Sequence, residues 1–430
     1  MNTHRCEVQS QLRLLAVSIA LSFPMAQVAK PPGDAAAPAA PASMAERPLG
    51  PAQLELLDLA FSIASKPPSD PHIKTRCRLQ ESVVATCLEL GQPQRAERCL
   101  AQIDDWRRGA CLADLANYYA EHAEADAKDG AAHVVDLADK LLADAAELAA
   151  APVDDNSQDW QRERVRAKIA RAFLLLGRPE DAARFAAGVT DAEAGPLAVA
   201  NARLLDAAKF DQQLAALDPV LANGSFEQQR NALEMCARFF DRFYADEPRR
   251  SAAESKIRAA WKKLPLQVHF DLMHELAESA LAHADPKKAR ELADELQKVL
   301  DAGNLTPDFS IPLVARLATI RFRAGDAVRA KADDDAALAS YFAAGARIVD
   351  IDRADALVPL AESYLALGAG DAATTVYRLA VDASVANPNS RPRAEDLCAI
   401  CRSMAAHAFS PDAELLARLR RLHAELGSPW

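Results

Sequence analysis

From residue 52 onward the apolar positions recur at helical spacing, and no Val/Ile/Thr-rich alternating run interrupts them, so the body of the chain reads as helix. The pattern also repeats. A first helix ends on a small residue, often Gly; two residues later comes Pro; three residues after that comes another small residue. The clearest instances are LELGQPQRA ending at Ala96, LLLGRPEDA ending at Ala182, AHADPKKA ending at Ala289 and LALGAGDAA ending at Ala373. Gly91, Gly177 and Gly368 suit the left-handed residue that stops a helix. Pro93, Pro179 and Pro286 fall where the next helix begins, where a missing N–H costs nothing. Gly130, Ala208, Asp246, Gly325 and Phe409 hold the same turn position in weaker copies. With Gly91, Gly177, Ala284 and Gly368 they mark turns roughly every 40 residues, the period of a solenoid.

Two segments precede that body. Leu14 to Phe23 is an uninterrupted apolar run behind Arg5 and Arg13; Pro24 breaks it, and Ala26 and Ala29 are small residues suited to cleavage. Residues 1–29 therefore read as a secretory signal peptide, with a disordered tail as the plain alternative. The run is too short for a comfortable membrane span, so no stable insertion is expected after cleavage. Residues 30–51 are Pro/Ala-rich without an apolar face, the composition of a semi-extended linker. The expectation is an exported protein, periplasmic or extracellular, whose repeat domain covers 52–430.

The units resemble the tetratricopeptide-repeat (TPR) family. The family's large apolar position, counted back from the turn, falls on Val83, Ile169, Leu276, Leu317 and Leu360; its small position falls on Ala170, Ala277, Ala318 and Ala361. Its aromatic falls on Phe173 and Tyr364, and the unit from 353 to 387 adds Ala373, Tyr377 and Ala380. The period exceeds the family's ~34 residues, and its closing Pro is missing from most units, which keeps a HEAT-type stack as the alternative. The resemblance implies an all-α fold: a right-handed superhelical solenoid of about nine antiparallel helix pairs, each covering its neighbour's apolar stripe, with the helix from Pro411 to Leu426 capping an open end. It also implies a concave face lined by first helices. Counting back from Gly177 places Arg164, Lys168 and Arg171 there; counting back from Ala284 places Asp271, Glu275 and Glu278. A basic stripe would take an acidic peptide or a carboxylate terminus, and an ordinary solvated face is the plain alternative.

Composition narrows the chemistry. Hydrophobic residues are 50% but aromatics only 6%, so the core is built from Ala, Leu and Val. A net charge of -11 argues against nucleic acid as the partner, although a local basic patch is compatible with it. Phe239, Phe240, Phe243 and Tyr244 are spaced as a core stripe. Cys398-Ala-Ile-Cys401 is a lone CxxC on a helix and reads as two small buried residues. Cys87 and Cys99 flank the Gly91 turn, and Cys99 and Cys111 flank the turn at Asp104 and Asp105; Cys99 could join either one on export, or all of them, with Cys77, could be buried free thiols. His274-Glu275 lacks a second His four residues on, where Glu278 stands, and His269 falls on another face, so no metal is expected. Asp154 to Asp159 lacks the Gly and Glu of a calcium loop and reads as a helix start capped by Asn156 or Ser157. Asp333-Asp334-Asp335 reads likewise as an acidic helix start. No Gly-rich phosphate loop and no nucleophile elbow is present, and no cofactor is expected.

These features point to a non-catalytic exported scaffold that binds another protein or peptide. An exported α/α-toroid-type enzyme, a polysaccharide lyase or hydrolase, is the alternative; it needs aromatic platforms and convergent carboxylates, whereas Trp106, Trp160, Trp261 and Trp430 are scattered along the chain. A small-ligand carrier is a third reading. An open superhelix favours the scaffold, and a closed ring with a polar centre favours the enzyme.

Overall fold

The computed structural model describes residues 46–122, 128–150, 159–204, 207–260 and 264–430, which belong to one compact unit. The segment read as a signal peptide, most of the segment read as a linker and the expected Asn156/Ser157 cap lie outside the described residues. In chain order the helices are α1 (Pro51–Ala64), α2 (Ser69–Glu89), α3 (Pro93–Leu100), α4 (Arg107–His122), α5 (Lys128–Ala150), α6 (Asp159–Leu175), α7 (Pro179–Ala186), α8 (Gly195–Leu204), α9 (Phe210–Ala216), α10 (Asp218–Asn223), α11 (Phe226–Arg242), α12 (Glu247–Ala260), α13 (Leu266–Ala282), α14 (Pro286–Ala302), α15 (Pro307–Arg323), α16 (Ala327–Ala344), α17 (Asp350–Ala366), α18 (Gly370–Val385), α19 (Ser390–Ala406) and α20 (Ala413–Glu425). No strand occurs among the described residues.

The turn pattern does what its residues dictate. Gly177 has φ 69°; its N–H bonds to Leu174 and the next N–H bonds to Phe173, closing α6 before Pro179 opens α7. Gly91, Gly325 and Gly368 also have positive φ, and so does Ala284 at 55°. In the last such turn the left-handed residue is Ala408, not Phe409, a shift of one from the sequence reading. Gly130 lies inside α5 and Ala208 in a 3-10 turn, so those two weak copies are not turns of this kind, and the turn at Asp246 joins two helices with no left-handed residue.

Helices pack in neighbouring pairs: α2 on α3, α4 on α5, α6 on α7, α11 on α12, α13 on α14, α15 on α16 and α17 on α18. First helices also pack on first helices, running α2, α4, α6, α8, α11, α13, α15, α17, α19. The positions singled out as family-like are the core. Val83, Ile169, Leu276, Leu317 and Leu360 are fully buried, as are Ala170, Ala277, Ala318 and Ala361. Phe239, Phe240, Phe243 and Tyr244 are buried together against Phe210 and Ala253.

The stack does not have the open end that the sequence reading caps with the last helix. The partner of α19 is α1, from the opposite end of the chain, and α19 also packs on α2. The seam is polar as well as apolar: Gln53 Nε2 donates to the Ala405 carbonyl at 2.9 Å, Arg402 Nε donates to Thr86 Oγ1 at 2.9 Å, and Arg78 pairs with Glu395 at 2.7 Å. Leu56, Leu57 and Ile63 of α1 and Cys398, Cys401 and Met404 of α19 are 0–1% exposed, and each fully buried Leu or Ile contributes about 1.5–3 kcal/mol. The packed body also begins earlier than residue 52. Arg47 N donates to Gly91 O at 3.0 Å, and Glu46 accepts from Arg95 N at 2.9 Å, strapping the end of the linker to the α2–α3 turn. A Cβ on Gly91 would stand 3.2 Å from Arg47 Cβ, a tight contact that adds to the strain of φ 70°.

Candidate functional site

The polar faces of the first helices form the densest set of charged groups. Each first helix buries one stripe and turns another, charged, toward the next first helix. Arg107 of α4 pairs with Glu81 of α2 at 3.1 Å. Lys168 and Arg171 of α6 reach back to Asp114 and Glu121 of α4, both at 2.6 Å. Arg238 of α11 faces Glu275 of α13 at 3.2 Å, and Arg316 of α15 meets Asp271 of α13 at 2.7 Å. Arg323 pairs with Glu278, and Ser403 of α19 donates to Glu362 of α17 at 2.7 Å. Arg78–Glu395 continues the series across the seam.

The stripe of Arg164, Lys168 and Arg171 is therefore present on α6, but each member already holds a carboxylate. Arg164 takes Glu193 through two bonds at 2.8 and 3.1 Å. Lys168 is pulled down by burial, yet Asp114 and Glu81 outweigh that and hold its pKa above the usual value. Glu81 is pushed up by burial, which Lys168 and Arg107 only partly offset. Burial drives Glu275 up to about 7; its Oε1 has no hydrogen-bond donor, because Arg238 lies beside it out of hydrogen-bond line. Burial likewise takes His274 well below its ordinary range, with Arg316 and Arg323 adding to the effect.

Two tryptophans that look scattered in sequence are brought together. Trp106 and Trp160 meet edge to face at 5.2 Å, with the Arg107 guanidinium 4.7 Å from the Trp106 ring and that of Arg164 5.2 Å from the Trp160 ring. The signal was their register: each stands at the start of a first helix, one unit apart.

Cysteines resolve more finely than the sequence could place them. All the described cysteines are buried and free. Cys87 and Cys99 hydrogen bond thiol to thiol, whereas Cys111 sits among Glu81, Asp114 and Lys168. Cys398 and Cys401 are 0% exposed on α19. The Asp333-Asp334-Asp335 run is not a helix start. It occupies the second turn of α16, where Asp333 pairs with Arg321, Asp334 accepts from Ser363 at 2.8 Å and Asp335 accepts from Tyr364 at 2.9 Å.

A second surface feature was not legible at all. The large exposed apolar residues, all but Val328, lie on one edge of the array, where first helices begin and second helices end. Trp160, Phe226, Phe309 and Ile351 stand at first-helix starts, and Leu148, Phe342 and Val385 at second-helix ends. Among the described residues no group of three or more His, Cys, Asp or Glu is placed to hold a metal, and no helix is long and apolar enough to cross a membrane.

No protein-family model matches the chain, and no curated protein matches it. Among solved structures it is similar to a "Circular tandem repeat protein with novel repeat topology and enhanced subunit contact surfaces", at 15% identity and a TM-score of 0.21, over 87% of this chain and 94% of that one.

Proposed function

We propose that this chain is an exported, non-catalytic helical-repeat scaffold that binds another protein or peptide. In this reading it is a right-handed, TPR-like array of nine pairs, the ninth completed by α1. The supporting observation is the division of labour between its surfaces. Charged groups on the first helices pair with one another from helix to helix, as in Lys168–Asp114 and Arg316–Asp271, and so hold the array together. All the large exposed apolar side chains but Val328 share one edge, spread along it from Leu148 to Val385, and exposed apolar groups are candidates for partner contact. An acidic peptide reaching Arg164, Lys168 and Arg171 would have to exchange with Glu193, Asp114 and Glu121.

The test is capture from envelope extracts by the exported full chain, cross-linked and identified by mass spectrometry. A specific partner lost in the Phe226→Ser/Ile351→Ser double variant supports the reading; the same capture by that variant counts against the edge. Export is tested by N-terminal sequencing of the protein from a Gram-negative host, expected to start between Gln27 and Pro32.

A second reading is favoured by a specific observation. The ends of the array meet, the arrangement that the sequence reading assigned to the enzyme and not to the scaffold, and the Trp106–Trp160 pair stands beside Arg107 and Arg164, with Arg107 holding Glu81. An α/α-toroid-type enzyme acting on polysaccharide would use the indoles as a sugar platform and Glu81, with its raised pKa, as a proton donor. Release of new chain ends from polysaccharide, lost in Glu81→Gln, would establish that reading over the scaffold.

A further inference from the structure

We propose that the closed array consists of two lobes hinged at two joints, one at α8 and one at α15, with the seam locked inside one lobe. The backbone forms one compact unit, yet the buried apolar side chains of the described residues fall into two clusters. The first runs through α1–α7 and α16–α20 and takes in both sides of the seam, Leu57 and Cys87 with Leu397 and Leu419. The second runs from Ala202 of α8 through α14. α15 serves both: Ile311 and Ala315 belong to the first cluster, Leu313 and Leu317 to the second. Side chains interlocked within one close-packed cluster move together, so two bodies can turn only at the boundaries between clusters.

Both boundaries are loosely built. At the first, α8 has 10 residues where the first helices on either side, α6 and α11, have 17 each. Its fully buried described side chains are Ala200 and Ala202, which have nothing beyond Cβ to interlock, and Leu197 and Val199 are half-buried. The connector leading into α8, residues 187–194, is held by polar contacts. Arg164 holds Glu193 at 2.8 Å, Thr190 N donates to Glu163 at 3.0 Å, and Asn231 donates to the Asp191 carbonyl at 2.7 Å. Such contacts near the surface exchange with water at little cost. At the second boundary, α14 and α16 leave a cleft of about 210 Å³ between them over α15. Its α16 side includes the small residues Ala336, Ala337 and Ser340, and the exposed pair Arg329–Asp294, at 2.8 Å, links the two helices. Pro312 lies inside α15 beside this cleft, so the Asp308 carbonyl lacks its helical donor where a bend would fall. Two bodies in a closed array cannot turn at one joint alone. Movement at the α14–α16 cleft therefore requires movement at the 187–194 connector, and fixing either fixes the other.

The experiment measures distance distributions between spin labels in the full chain. Gln94→Cys of α3 with Lys287→Cys of α14 spans the two lobes, and Gln94→Cys with Asp371→Cys of α18 stays within the first; all three positions are exposed. The distribution between lobes should be about twice as wide as the one within the lobe. Ser340→Leu fills the cleft from a position that is only half-buried, and it should narrow the wider distribution toward the other. Amides of the 187–194 connector, none of which lines the cleft, should exchange at least about threefold more slowly in the same variant. Equal widths for the two label pairs, with the cleft unfilled, overturn the proposal. So does a folded Ser340→Leu that leaves exchange at 187–194 unchanged, because a filled cavity alone would act only on its surroundings. Gln297→Leu fills the same cleft from α14 and must act alike, so the coupling is still tested if Ser340→Leu does not fold.

Discussion

Gln53 donates its side-chain N–H to the carbonyl of Ala405, joining two residues 352 positions apart at 2.9 Å. The bond lies along α1 and α19, and it marks where the two ends of the array make one helix pair. Leu57, 1% exposed, belongs to this seam. Leu57→Ala should cost roughly 2–5 kcal/mol. More tellingly, amide hydrogen exchange should speed up in α19 as well as in α1. Exchange that rises in α1 alone would mean that α19 does not depend on it.

Gly177 tests the turn assignment. No atom lies within 4 Å of a Cβ built there, so the only obstacle to a side chain is φ 69°. Gly177→Val should therefore destabilise by about 1–2 kcal/mol. A variant that melts like the parent would remove the left-handed stop from between α6 and α7.

Cys87 and Cys99 are the pair to expect in a disulfide. Their thiols already hydrogen bond to each other, so the two sulfurs stand within reach of one bond on exchange with oxidised glutathione. The two thiols would form the new bond, and the glutathione disulfide would leave as two thiols. Peptide mapping should find Cys87 linked to Cys99 and Cys111 unlinked, with a gain of roughly 2–3 kcal/mol for so short a loop. Recovery of Cys87 and Cys99 both alkylated after oxidation would end the assignment.

Asp334 should make stability fall as pH rises. It is 0% exposed, and burial, with Asp333 and Asp335 beside it, takes its pKa from 3.8 to about 7. Below pH 3.8 both folded and unfolded chains hold the proton and no penalty arises; between 3.8 and 7 the folded state binds it more tightly, and above 7 the full cost of a buried anion is present. Asp334→Asn keeps an acceptor for Ser363 and does not titrate. Urea unfolding should show the variant gaining on the wild type from pH 4 to pH 8, by roughly 2–4 kcal/mol at the upper end. A gap that is constant with pH would show that Asp334 is ionised throughout.

Much of the fold was legible because it is written locally. A left-handed glycine, a proline at the next helix start and alanines at the crossings each act within one turn of chain, so Gly177, Pro179 and Ala182 announce their pair. The identity of the core followed from the same register, as Ile169 and Ala170 show. The seam was not legible, since nothing within α1 says that its partner lies beyond residue 390; the hint was a helix with an apolar face and no turn motif joining it to a mate. The basic stripe was found on its helix, but its state depends on Asp114, Glu121 and Glu193, which come from other elements. Two tryptophans one unit apart, and apolar residues that share an edge, emerge only once the units are stacked.

The closed array is tested most directly by one distance. Glu55 and Arg420 pair across the seam, and both are exposed enough to carry labels, so Glu55→Cys with Arg420→Cys removes only a surface ion pair worth about 0–1 kcal/mol. Spin labels on the two cysteines in the full chain should give a single short distance, on the order of 20 Å or less once the label arms are included. An open stack advancing about 8–10 Å per packed helix would separate the same labels by roughly 50 Å or more, and a distribution centred there would contradict the closure.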